Sequence, residues 1–306
     1  MPADRGSPCV PAERRTPCVP VGRDARAGAY PAQVMIWLPP SEGKTPPAHG
    51  PALDLAALSL PALTEAREEV ARTLVAVSAS PSGAEVLHLG PRSRGDLETN
   101  AHLGDAPCAP AREVFSGVLF EAAGLGRCRR GPRGPEVWIF SGLFGALRPE
   151  DPIPDHRLPM GARLPGTGAL AGSWRPRLHD ALEDRTRGAT VVDLRSGPYR
   201  SACTGGWADV LRIDVVRSRD GRRGVVSHQA KHWRGMVCAG LLDASPDSLP
   251  PTVTVEGCVS AIRSTAPTMV AHDATGARQQ VVDVEVGPTT PTREGGSVTV
   301  LTLVVD

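Results

Sequence analysis

Apolar and polar positions along this 306-residue chain fall into two regimes that meet near Val34. Residues 1–33 are rich in Pro, Arg and Gly, hold almost no large apolar side chain, and repeat themselves, SPCVPAERR being echoed by TPCVPVGRD. Such a segment cannot bury enough surface to offset its chain entropy. It is expected to be disordered, or to be an extension upstream of a true start nearer Met35. From Val34 the pattern becomes globular. VMIWL (34–38) is a continuous apolar run of strand length. In LTEAREEVARTLVAVSA (63–79) the apolar residues at 63, 66, 70, 74 and 77 follow a helical period, with Thr64 placed to cap it. REVFSGVLFEAAGLG (112–126) reads as a strand or the start of a helix, closed by glycines. EVWIFSG (136–142) and ATVVDLRSG (189–197) read as buried strands. WADVLRIDVVRSRDGRRGVVSHQ (207–229) reads as two strands joined at Asp-Gly, a hairpin signal. HQAKHWRGMVCAGLL (228–242) reads as a helix, and VVDVEV (281–286) and VTVLTLVVD (298–306) as late strands around a Gly-Gly turn. Strands mix with helices throughout and no linker divides 34–306. The expectation is one α/β (mixed α+β) domain on a central sheet.

Composition narrows the class. A chain that is 41% hydrophobic and 22% charged suits a soluble globular protein. No apolar run approaches the roughly 18 to 20 residues that cross a bilayer, and the N-terminal arginines precede no apolar segment of a secretory signal. A cytoplasmic protein without membrane contact is expected. With a net charge of +1 and a pI near 7.7, bulk charge does not suggest a protein that coats nucleic acid, where a pI above about 9 is usual; such binding would need a local basic surface. The seven cysteines are scattered, without a CxxC pair, and are expected to be reduced. The motifs call for no cofactor. Only two of the 34 basic residues are lysines, Lys44 and Lys231, the rest being arginine. A lysine retained against that bias is a candidate for work that needs a compact, deprotonatable ammonium.

Four stretches carry candidate chemistry. WLPPSEGKTPP (37–47) ends like a phosphate-binding loop, but the first glycine position of that pattern is Leu38, and Pro39 and Pro40 have no N–H to donate. What remains is a proline-stiffened turn displaying Ser41, Glu42, Lys44 and Thr45, or a plain turn. In the arginine-rich stretch 140–178, LPGTGALAGSW (164–174) resembles the glycine turn of a helix-hairpin-helix element. Gly166 and Gly168 would bring backbone amides to a phosphate, with Arg148, Arg157, Arg163, Arg175 and Arg177 nearby, unless the turn is only structural. VVDLRSGPY (191–199) brings Asp193, Arg195 and Ser196 to a strand end, where open sheets place ligands; a salt-bridged strand end is the alternative. On the helix VVSHQAKHWRG (225–235), His228, Lys231 and Arg234 share a side. They suit an anionic ligand or a solvated face better than a metal, since no HExxH glutamate accompanies His228 and His232.

Taken in order, these stretches resemble the YaaA-like proteins associated with peroxide stress. The resemblance rests on PPSEGKT (39–45), on Phe115, Ser116 and Gly117, on SGLFGALRPEDPIPDHRLPMG (141–161), on Leu194, Ser196 and Tyr199, and on Ala230, Lys231, Arg234 and Gly235, spanning about 34 to 242. His156 and Phe115 stand where that family pattern has tyrosines, and Gly197 and Pro198 where it often has Asn/Asp-Glu. The resemblance implies a mixed α/β fold with a cleft and a helix-hairpin-helix element, non-sequence-specific DNA binding, and a role in limiting iron-dependent oxidative damage. The residues themselves leave a second reading open. Ser41, Glu42, Lys44, Asp193, Arg195, Ser196, Lys231 and Arg234 also suit an enzyme that holds an anionic or nucleotide-like small molecule, with Lys44, Lys231 and Asp193 as candidate catalytic groups.

Overall fold

The computed structural model describes residues 34–127, 134–219, 222–226, 229–244, 254–272 and 276–306. The expectations for residues 1–33, for the Asp220-Gly221 turn and for His228 lie outside these residues. Within 31–306 the contacts form one compact unit.

Ten strands build the main sheet: β1 (Val34–Leu38), β2 (Glu136–Ser141), β3 (Gly145–Leu147), β4 (Thr190–Asp193), β5 (Asp209–Arg219), β6 (Arg222–Val225), β7 (Val270–His272), β8 (Arg278–Val286), β9 (Thr290–Pro291) and β10 (Ser297–Val305). Their order is β7-β8-β10-β5-β4-β1-β2-β3, with β6 added to β5 and β9 to β10. The centre is parallel: β1 pairs with both β2 and β4, and β5 with both β4 and β10. The edges are antiparallel. Every side chain of β1 and β4 is buried. This is why those strands read as unbroken apolar runs rather than alternations: a parallel strand is covered on both faces. Trp37, Trp138, Trp174 and Trp233 are fully buried and anchor the core.

The helices are α1 (Thr64–Ser78), α2 (Val118–Ala123), α3 (Leu170–Thr186), α4 (Gly197–Ala202), α5 (Gln229–Asp243) and α6 (Val255–Thr265), with shorter turns between them. Thr64 does not cap α1; it is the first helical residue, and Leu63 occupies the cap position with no side-chain acceptor. The stretch 112–126 resolves into two short helices, Ala111–Val114 and α2, separated at Phe115 by an extended backbone.

The helix-hairpin-helix expectation is corrected. The turn at Gly166 and Gly168 joins two antiparallel two-residue strands, Arg163–Leu164 and Gly168–Ala169, and only its downstream side enters a helix, α3. No helix lies between Ile153 and Leu170. Pro154, Pro159 and Pro165 explain this, because each biases the residue before it away from the helical region. The glycines do serve a tight turn, with φ of 76° at Gly166 and 74° at Gly168, the left-handed region that favours glycine. The C-terminal residues 276–306 are integral, since β10 lies between β5 and β8 in the sheet.

Candidate functional site

The chain leaves β1 toward β2 and β3 on one side, and β4 and β5 lie on the other. Outside the carboxyl ends of strands at such a reversal, an open sheet leaves a crevice. Here it is a cavity of about 370 Å³ whose walls include Ser41, Glu42, Lys44, Phe115, His156, Arg157, Ser196, Tyr199, Lys231 and Arg234. All but the hairpin of the four sequence stretches reach it, and both lysines of the chain line it.

The loop after β1 is held by backbone bonds to the Phe115 segment. Thr45 N–H donates to the Val114 carbonyl at 2.8 Å, and Ser116 N–H to the Gly43 carbonyl at 3.1 Å. Gly117 lets the two segments approach closely, since a β-carbon there would meet Ser41 Oγ and make that hydroxyl turn away. The PPSEGKT and Phe115-to-Gly117 motifs are therefore one structural unit. It sets the Lys44 Nζ over the Phe115 ring, 5.8 Å from its centroid.

Burial holds the Lys44 ammonium below the ordinary lysine range; Asp155 and Asp96 oppose that shift, while Arg157 adds to it. Burial likewise raises the Asp155 carboxyl, against the pull of Lys44. His156 is buried, and burial followed by the Lys44 charge lowers its pKa to about 3. Its Nδ1 lies 3.0 Å from the Pro154 carbonyl, which fits a neutral ring donating from that nitrogen. Phe144 and Phe115 meet the ring edge-on, with centroids 5.0 and 6.1 Å away. Arg157 is fixed from both ends. Its backbone exchanges hydrogen bonds with the buried amide of Asn100 at 2.8 and 2.9 Å, and its guanidinium lies 3.3 Å from Asp96 and 3.7 Å from Glu42.

The other walls come from α4 and α5. Ser196 occupies the cap position of α4. The Tyr199 hydroxyl accepts from Met160 N–H at 3.5 Å, and burial raises its pKa to about 12. On α5, Lys231 is exposed, while Arg234 is half-buried, donates from Nε to the Ile213 carbonyl at 3.0 Å and lies 3.6 Å from Asp214. The cleft thus offers Arg157, Lys231 and Arg234 as cations beside a lysine of depressed basicity and a neutral imidazole. Such a set can neutralise an anion and exchange a proton with it.

Several sequence candidates lie elsewhere. Asp193 and Arg195 form a pair beneath the cleft, 1% and 0% exposed, bridged at 2.8 Å from Nε and 3.0 Å from Nη2. The Arg195 guanidinium is sandwiched by Trp37 and Phe140, 4.4 and 4.1 Å from the ring centroids, and donates to the Tyr199 and Cys203 carbonyls. Burial alone would raise the Asp193 carboxyl; Arg195 outweighs it and holds the group below its usual range. Neither side chain lines the cavity. Arg148 pairs with Glu136 at 2.6 Å and stacks on Trp138. Arg163 is exposed on the hairpin with Gly166 and Gly168, and Arg175 donates to the Ser201 carbonyl from α3. These five also lie outside the cavity wall. Asp155, Asn100 and Tyr199 were not among the sequence candidates. Tyr199 and Asp155 could have been found, since both sit inside the recognised motifs; Asn100 had no such signal. Among the described residues no three His, Cys, Asp or Glu side chains group closely enough to hold a metal, and no helix is long and apolar enough to cross a membrane.

Comparison with known proteins agrees with the motifs. The sequence model of the family described as peroxide stress protein YaaA matches residues 34–251. A UPF0246 protein of Streptomyces coelicolor is 38% identical over 217 residues, 68% of this chain and 83% of that protein. One from Corynebacterium efficiens is 37% identical over 216 residues, 70% of this chain and 86% of that protein. Another, from Corynebacterium glutamicum, is 36% identical over 207 residues, 66% and 82%. On this evidence the chain belongs to the YaaA family of peroxide stress proteins, the UPF0246 proteins among them.

Proposed function

We propose that the cleft holds an anionic small molecule, that Arg157, Lys231 and Arg234 take up its charge, and that Lys44 exchanges a proton with it. This chemistry is how the chain would serve a peroxide-stress response. One observation carries the reading: a lysine whose basicity burial lowers lines the same cavity as three cations. A general base works best with a pKa near the operating pH, and burial is the ordinary way to bring a lysine down toward it. Asp193 contributes from below by fixing Arg195 and the start of α4 rather than by touching the ligand.

The test is complementation of a deletion strain under peroxide. Lys44→Met is expected to be as sensitive as the deletion and to show the same rise in free iron, whereas Lys44→Arg, which keeps the charge and cannot lose its proton, should rescue no better. Full protection by Lys44→Met would remove the proposal.

Duplex DNA is the second reading, carried by the exposed hairpin of Arg163, Gly166 and Gly168. It has weaker support, because Arg148 is engaged by Glu136 and Arg157 lines the cleft. A gel shift at about 50 mM salt separates the two, since phosphate contacts are strongest there: binding lost in Arg163→Ala would favour the duplex, and no shift by the parent would exclude it.

A further inference from the structure

A second cavity, of about 460 Å³, opens between α3, α4 and β5, and shares no wall residue with the cleft. Its walls include Arg175 and His179 from α3, Arg200 from α4, Trp207, Arg212 from β5, and Glu294. Arg200 is already answered by carboxylates, 3.2 Å from Asp214 and 3.6 Å from Asp193. Arg212 is not. It is half-buried, its Nε is shut off from solvent, and that nitrogen has no hydrogen-bond partner. Arg175 uses Nε on the Ser201 carbonyl at 2.9 Å. The carboxylate in the wall belongs to Glu294, which is exposed. Trp207 closes one side, with the His179 ring edge-on at 4.6 Å.

Arg200 Nε is likewise buried without a hydrogen-bond partner, so what marks the cavity is three arginines in one wall, of which Arg212 meets no carboxylate among the described residues. Arginine forks match the oxygens of phosphate in pairs. We propose that this cavity is a phosphate-binding site, in which Arg212 and Arg175 grip the oxygens of a small phosphate compound and Arg200 supports them from behind. The site is independent of the cleft reading, since neither Lys44 nor Lys231 takes part.

Isothermal titration of the full chain with inorganic pyrophosphate tests it. The parent is expected to bind pyrophosphate, and Arg212→Met and Arg175→Ala each to weaken one equivalent of that binding at least tenfold. Arg185→Met, which changes an exposed arginine of α3 that lines neither cavity, should bind as the parent does. Arg175→Ala truncates an exposed side chain, so it reports on the site even if Arg212→Met folds poorly. The inference is overturned if the parent takes up no pyrophosphate, if Arg175→Ala titrates unchanged, or if Arg185→Met weakens binding as much as Arg175→Ala does. It is also overturned if a short DNA duplex, and not pyrophosphate, is bound in an Arg212-dependent way.

Discussion

Arg195→Met is the sharpest probe of how the floor of the cleft is built. The substitution leaves the Asp193 carboxylate, 1% exposed, without its bidentate partner, and takes a donor from the carbonyls of Tyr199 and Cys203. Breaking a buried ion pair from one side costs about 3 to 5 kcal/mol, because the remaining charge keeps its desolvation penalty. With a urea slope of about 2 kcal/mol per molar, the unfolding midpoint should fall by about 2 M. Trp37 lies against the guanidinium, so tryptophan fluorescence reports the transition. Asp193→Asn combined with Arg195→Met should be more stable than Arg195→Met alone, since no naked charge is buried. The pH dependence follows the sign of the Asp193 shift. Its folded carboxyl sits below the ordinary aspartate value of 3.8, so the pair contributes fully above that value and the contribution fades as pH falls through the lower folded one. If Arg195→Met unfolds within about 1 kcal/mol of the parent, well below that range, yet fails to protect against peroxide, Arg195 acts on a ligand and the structural assignment is wrong.

Two further outcomes follow from the same geometry. His156 falls from 6.5 to about 3 on folding; a lowered base destabilises the fold only where the unfolded form is protonated, so stability should drop as pH falls from 6.5 toward 3, by about 5 kcal/mol at 1.36 kcal/mol per pH unit. Urea melts of His156→Phe across that range should show a flatter profile than the parent, and parallel profiles would contradict the assignment. Gly117→Ala sets its new methyl against Ser41 Oγ and should cost about 1 kcal/mol, the low end for overpacking, because that hydroxyl can turn away; thermal melts should recover when Ser41→Ala is added, and a loss that Ser41→Ala does not relieve would mean the loop is not held as described.

What the sequence revealed depended on what each residue's surroundings encode locally. β1, β2 and β4 were legible because strands covered on both faces must be apolar along their length. The cleft loops were legible as motifs because they follow those strands. Asp193 and Arg195 left two readings open for a definite reason: a polar pair at a strand end reads the same whether it faces a ligand or folds back under Trp37 and Phe140. The glycine turn misled similarly, since the same residues can link two helices or two strands, and the flanking prolines decided for strands. Asp155 acts on Lys44 from more than a hundred residues away in sequence, and no periodicity reports such a pair. The burial that lowers Lys44 is likewise a product of packing, assembled from Phe115, His156 and the β1 loop.

The account turns on Lys44 being a lysine of depressed basicity facing the cleft. Lys231→Arg leaves Lys44 as the sole lysine of the chain, so a side-chain NMR titration of that variant reads one group without overlap. The predicted result is a midpoint below the ordinary lysine value of 10.5, falling further in Asp155→Asn because Asp155 opposes the shift. A midpoint at or above 10.5 would contradict the account.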